Sequence, residues 1–178
     1  MQFRVIHRLQ ITPVKRNRFK PLLLKFCNKC KISEGTYFHC ILDCPFIDDF
    51  WVNICKEIDV IFKNKLTLTP VGCVLGLNPK ALGLGSSKLR LLEVLLFNAR
   101  RCILLLWISD SVPTISQWTR SVLELLPLEA INFWLRDMPF RFFKIWDPFL
   151  DYIGEDGART LQSGLYGLAW SEISKYIK

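Results

Sequence analysis

CNKCKISEGTYFHCILDCPFIDDFWVNICKEIDVIF, residues 27–62, holds two signals in succession. Its first half carries Cys27, Cys30, His39 and Cys44 in a Cys-x2-Cys-x8-His-x4-Cys spacing. Two short segments each deliver two soft ligands, and the loop between them is long enough to fold back. Tetrahedral zinc takes such ligands, with thiolates about 2.3 Å and imidazole about 2.0 Å from the metal. Four protein ligands leave no open position for water, so such a site is structural rather than catalytic. The second half begins with Pro45, which suits the first turn of a helix. Asp48 and Asp49 fall in that turn, where the macrodipole favours acids. Phe46, Phe50, Ile54, Ile58 and Ile61 then form one stripe at helical spacing, with Trp51, Cys55 and Phe62 beside it.

Two rivals to this ligand set come from the other cysteines. Cys40 stands beside His39 and offers an alternative quartet, Cys-x2-Cys-x9-Cys-x3-Cys. Disulfide bonding is the second rival, but seven cysteines is an odd number. The opening MQFRVIHRLQ is basic and lacks the apolar run of a secretory signal. A reducing intracellular setting, cytoplasmic or nuclear, is therefore expected, and there a Cys-x2-Cys pair with a nearby His is metal-binding. Cys55, Cys73 and Cys102 sit in apolar surroundings and read as small core residues.

Charge is distributed unevenly. The chain has 24 Lys+Arg against 16 Asp+Glu. Residues 1–33 hold nine of the basic residues and no acid: Arg4, Arg8, Lys15, Arg16, Arg18, Lys20, Lys25, Lys29 and Lys31. The net charge of +8 is thus almost wholly a property of the N-terminal arm and the first knuckle loop. Phe3, His7, Phe19, Phe26, Tyr37 and Phe38 are interleaved with these cations. Cations beside aromatic faces suit a phosphate backbone and unpaired bases, so RNA or another single strand is the expected partner. A basic face that serves only solubility is the plainer reading.

Along the rest of the 178 residues the pattern is helical. Lys63 to Gly85 reads as a connector, extended at Leu66-Thr67-Leu68 and punctuated by Pro70, Asn78-Pro79 and Gly83-Leu84-Gly85. Ser86 or Ser87 caps a long helix to about Ser109. Pro113 opens the next, with Ile115, Trp118, Val122 and Leu125 inward. Pro127 should kink it, because proline has no amide hydrogen and clashes with the preceding turn. Pro139 starts a last helix that Gly154 stops, with Phe143, Trp146, Phe149 and Leu150 apolar. The expected class is mainly α: a helical domain with a small N-terminal Cys-Cys-His-Cys zinc knuckle. The expected divisions are 1–62 (arm, knuckle and following helix), 63–157 (helical region) and 158–178 (a tail with weak signals).

A membrane span fails on charge. The most apolar window, Leu89 to Ile108, contains Arg90, Glu93, Asn98, Arg100 and Arg101. A basic residue near a span centre costs about 2.5–3.5 kcal/mol. The uninterrupted run Cys102 to Ile108 falls far below the ~20 residues that spanning requires.

Two catalytic lookalikes also fail. Phe46-Ile47-Asp48-Asp49 matches the loose aromatic-x-Asp-Asp pattern of polymerases, but only Glu34 and Asp43 precede it as acids. A two-metal site needs several convergent carboxylates. Gly83-Leu84-Gly85-Ser86-Ser87-Lys88 lacks the Gly-Lys-Ser/Thr of a P-loop. No catalytic residue and no small-molecule substrate are expected.

The runs QFRVIHRLQITPVKRNRFKP, CNKCKISEGTYFHCILDCPFIDDFW, a Leu-Gly-Leu segment, NARRCILLLW, QW and FKIWDPFLDYI together resemble a known family. It is the C-terminal region of the second open-reading-frame protein of LINE-type (non-LTR) retrotransposons, which carries a reverse transcriptase zinc-binding knuckle. The resemblance covers roughly residues 2–153. Its most specific part is the knuckle, with Glu34-Gly35-Thr36 before His39, then Cys44-Pro45-Phe46 and Phe50-Trp51. It implies that Cys27, Cys30, His39 and Cys44 are the zinc ligands, favouring His39 over Cys40. It implies RNA binding in target-primed reverse transcription, beside the polymerase of the parent element. It also implies a truncated or decayed copy, since the chain lacks the polymerase and endonuclease.

Overall fold

A computed structural model describes residues 10–75 and 82–154. The N-terminal residues that include Arg4, Arg8, Phe3 and His7, the Asn78-Pro79 turn and the expected tail 158–178 lie outside the described residues.

The described residues are mainly helical. Helix α1 runs Pro13–Phe19, a π-helical turn spans His39–Asp43, and α2 runs Pro45–Phe62. They are followed by the short α3 (Pro70–Leu75), α4 (Ser86–Leu105), α5 (Ile115–Trp134) and α6 (Pro139–Ile153). No strand occurs among the described residues; one antiparallel bridge joins Phe26 to Glu34. The four long helices α2, α4, α5 and α6 all touch one another. One hydrophobic cluster runs from the knuckle cysteines through Ile54, Leu95 and Trp118 to Phe149.

Local chemistry starts these helices where the sequence places its signals. Pro45 is in the first turn of α2 with Asp48 beside it. Thr114 caps α5 in a reciprocal capping box with Gln117, so that helix opens at Ile115, two residues after Pro113, rather than at the proline. Gly154 ends α6 at φ +55°, a conformation that glycine adopts without a Cβ penalty.

Several expectations change. Gly85 caps α4, and Ser86 is already helical. The same helix stops at Leu105, short of Ser109, where the Asn28 and Lys29 side chains take the carbonyls of residues 106, 108 and 109. Residues 70–75, expected as connector, form α3, which buries Cys73 and Val74 against α4 and the π turn. Helix α5 continues through Pro127. Trp118, Val122, Leu126 and Ala130 bury one face of it on both sides of the proline, and that burial outweighs the lost hydrogen bond. On α2 the inward residue of the first turn is Ile47, fully buried, while Phe46 is 47% exposed.

Three tryptophans tie the layers together, each with an apolar body inside and its N–H on a carbonyl. Trp51 Nε1 donates to Ile41 O at 2.9 Å, fixing α2 to the π turn. Trp118 Nε1 donates to Leu95 O at 3.0 Å, joining α5 to α4. Trp107 Nε1 donates to Ile11 O at 2.9 Å, holding the segment before α1 against the bundle.

Candidate metal centre and basic face

The knuckle is built by backbone hydrogen bonds around its ligands. Lys31 N–H returns to Cys27 O at 3.0 Å, closing the Cys-x2-Cys loop, with Lys31 at φ +61°. Cys27 N–H donates to Ser33 O and Gly35 N–H to Lys25 O, both at 2.8 Å, so the two sides of the loop pair as a short ribbon. Gly35 lies flat against α1: a Cβ there would stand 2.5 Å from Pro13 Cγ. Only glycine allows that approach, which gives Glu34-Gly35-Thr36 a packing reason.

Thr36 Oγ1 then accepts the His39 N–H at 3.2 Å and starts the π turn. The turn closes with Cys44 N–H on His39 O at 2.8 Å, five residues apart. It thereby sets His39 and Cys44 at its two ends, and Pro45 launches α2 immediately after.

The ligand atoms of Cys27, Cys30, His39 and Cys44 all lie within 4.8 Å of one another, and all four residues are buried. Cys27 Sγ is 3.9 Å from Cys44 Sγ, and Cys30 Sγ is 3.3 Å from His39 Nε2. A tetrahedral ion with thiolate bonds of about 2.3 Å has edges of about 3.8 Å, a little shorter for a sulfur–nitrogen edge. The donor set therefore fits, and these four residues could hold a metal ion. Among the described residues it is the one such cluster.

The electrostatics within the quartet differ from residue to residue. Burial opposes ionisation of Cys30, but the backbone of Ser33 and Ile32 and the His39 side chain outweigh it and lower the thiol to about 6. Burial raises Cys44, and the neighbouring Cys27 raises it further. Cys40 is not in the quartet. Burial first, then Cys27, pushes its thiol up to about 12.

Not every expected basic residue faces solvent. Lys29 Nζ donates to Leu106 O at 2.8 Å and to Ser109 O at 3.1 Å. Its neighbour Asn28 donates to Ile108 O at 2.7 Å. Lys29 thus ties the knuckle to the turn after α4. Burial lowers its pKa, against the opposing field of the knuckle cysteines. Lys25 is ion-paired with Glu34. Arg16 reaches Asn28 Oδ1 at 3.4 Å. Lys15, Arg18, Lys20 and Lys31 are exposed. Tyr37 is not an open stacking surface, because its ring packs 5.5 Å from Trp107. Phe19, Phe26 and Phe38 are exposed.

Asp48, in the first turn of α2, and Asp49, just after it, are both exposed. Among the described residues no helix is long and apolar enough to cross a membrane. No model of a known protein family matches the chain, and no curated protein matches it. The likeness to non-LTR element proteins therefore rests on the quoted residues alone.

Proposed function

We propose that this chain is a non-catalytic module that binds RNA and carries one structural zinc, similar to the C-terminal part of a LINE-type reverse transcriptase polyprotein. The observation that carries it is the buried Cys27–Cys30–His39–Cys44 quartet within an acid-poor, basic segment. Three thiol groups and one imidazole match zinc in softness and in number. Bound zinc would join the loop, the π turn and the start of α2 into one rigid unit. Lys15, Arg18, Lys20 and Lys31, with the exposed rings of Phe19, Phe26 and Phe38, then supply phosphate contacts and stacking faces.

A second reading has its own observation. Leu22 is fully exposed and Leu24 is 75% exposed in the same segment. Exposed aliphatic residues side by side favour protein docking, for example on a polymerase domain, with zinc stabilising the surface. Titration of the zinc-loaded chain with labelled single-stranded RNA at two salt concentrations separates the two. RNA binding that weakens steeply with salt supports the first reading, and no binding at low salt supports the second.

A further inference from the structure

A cleft of about 220 Å³ lies between α4 and α5, away from the knuckle ligands. Arg101, Leu105 and Leu106 line it from α4 and the turn after it, and Arg120, Ser121 and Glu124 line it from α5. Two guanidinium groups against one carboxylate leave the cleft with a net positive charge. The apolar members offer a surface for a flat ring.

A chain of hydrogen bonds holds one arginine in place. Arg101 donates to Ser121 Oγ at 2.8 Å. The Ser121 hydroxyl donates to Asn98 Oδ1 at 2.9 Å, and Asn98 Nδ2 donates to Val94 O at 3.0 Å. Ser121 and Asn98 are both buried. A buried polar chain is costly unless every member is satisfied, and here it ends on a helix carbonyl. It spends one nitrogen of Arg101 on orientation. A guanidinium has five N–H donors in a fixed fork, so donors remain for a ligand.

The cleft also adjoins the basic segment. Leu106 lines it, and the carbonyl of the same residue receives Lys29 from the knuckle. Docking of the knuckle on α4 therefore sets one wall of the cleft.

We infer that this cleft binds one nucleotide unit, its phosphate on Arg101 and Arg120 and its base against Leu105 and Leu106. The volume is below the roughly 300 Å³ at which sites for drug-sized ligands begin, which suits one base with its phosphate at the mouth. Arginine is the side chain matched to phosphate by its bidentate fork. The nucleotide comes either from an RNA strand already held by the basic segment, in which case the inference rests on the proposed RNA binding, or from solution as a free nucleotide.

The test uses the full zinc-loaded chain and amide-resolved NMR titrations with uridine 5′-monophosphate, uridine, inorganic phosphate and a short oligouridylate. Arg120→Ala and Leu105→Asp are the variants, chosen because Arg120 is exposed and Leu105 is 68% exposed, so neither change threatens the core. The monophosphate should shift amides at residues 105–106 and 117–124, and each variant should weaken it about tenfold. Oligouridylate should bind several-fold more weakly to Arg120→Ala, with its salt slope reduced by about 0.7. If RNA binds but the monophosphate shifts nothing in the cleft and both variants keep full affinity, the cleft assignment falls and the RNA reading survives. If the monophosphate binds through Arg120 while RNA does not bind, the cleft assignment stands and the RNA reading falls. Phosphate alone binding as tightly as the monophosphate would reduce the cleft to an anion site and overturn the nucleotide.

Discussion

Lys29 Nζ lies 2.8 Å from the carbonyl oxygen of Leu106, 77 residues away in the chain. One side chain between two knuckle ligands thus closes the end of a bundle helix. The last carbonyls of a helix lack intrahelical partners and carry the negative end of its dipole, so a cation bonded to the C-cap carbonyl of Leu106 is favoured both by the hydrogen bond and by the dipole. Lys29→Met should keep the apolar stem but lose both bonds. It should cost about 1–2 kcal/mol of stability by chemical denaturation. Hydrogen exchange should rise at Leu106 and Ser109, and a variant as protected as the wild type there would show that the cap contributes nothing.

Zinc content is the most direct check of the quartet. Purified chain should carry one zinc by elemental analysis, and Cys27→Ser or Cys44→Ser should lose it. Zinc contributes on the order of 10 kcal/mol to folding in small finger peptides, so the knuckle should lose order in both variants. His39→Ala should impair binding and Cys40→Ala should spare it. The reverse pattern would move the ligand assignment to Cys40.

Charge reversal tests the basic face without disturbing the fold. Arg18→Glu with Lys20→Glu alters only exposed positions. Arg16 is left alone, since it also holds Asn28. Lys31→Gly removes a third charge at a residue with φ +61°, where glycine is the less strained choice. RNA affinity should fall, and the log–log salt slope should become shallower by about 0.7 for each phosphate that is no longer neutralised. Equal affinity in the triple variant and the wild type would favour the docking reading instead.

Tyr152 gives a pH signature for the bundle itself. Its hydroxyl donates to Glu57 Oε2 at 2.7 Å, linking α6 to α2. Burial, then the Glu57 bond and charge, push the phenol up to about 12 from its ordinary 10. A group whose folded pKa is raised contributes stability that is complete below the unfolded value and is lost as pH rises through the folded one. Tyr152→Phe should therefore cost about 1 kcal/mol at neutral pH. The gap between the two melting curves should close between pH 10 and pH 12, and a gap that stays constant throughout that window would assign the loss to packing.

Local features were legible wherever neighbours in the chain supply the cause. Cys27, Cys30, His39 and Cys44 converge as their spacing implies, because a Cys-x2-Cys loop and a π turn are both short-range structures. Pro45 and Pro139 mark helix starts for the same reason: each lacks an amide that the first turn does not use. The α2 stripe was legible from Phe50 to Ile61, but its first member was misplaced, since periodicity alone does not tell Phe46 from Ile47 at the edge of an apolar face.

Tertiary packing decided the remainder. Lys29 reads as one more cation among nine, and only the end of α4 turns it into a cap. Tyr37 reads as an open ring, and only Trp107 closes it. Pro127 reads as a break, and only burial of α5 on both sides carries the helix through. The cleft of Arg101 and Arg120 has no local motif at all, because its walls are brought together from two helices. The amino-acid sequence by itself determined the helical class and the convergence of Cys27, Cys30, His39 and Cys44, which could hold a metal ion, because the turns involved span a few residues. Which cations remain exposed was settled by packing between distant segments, whose partners no local pattern names.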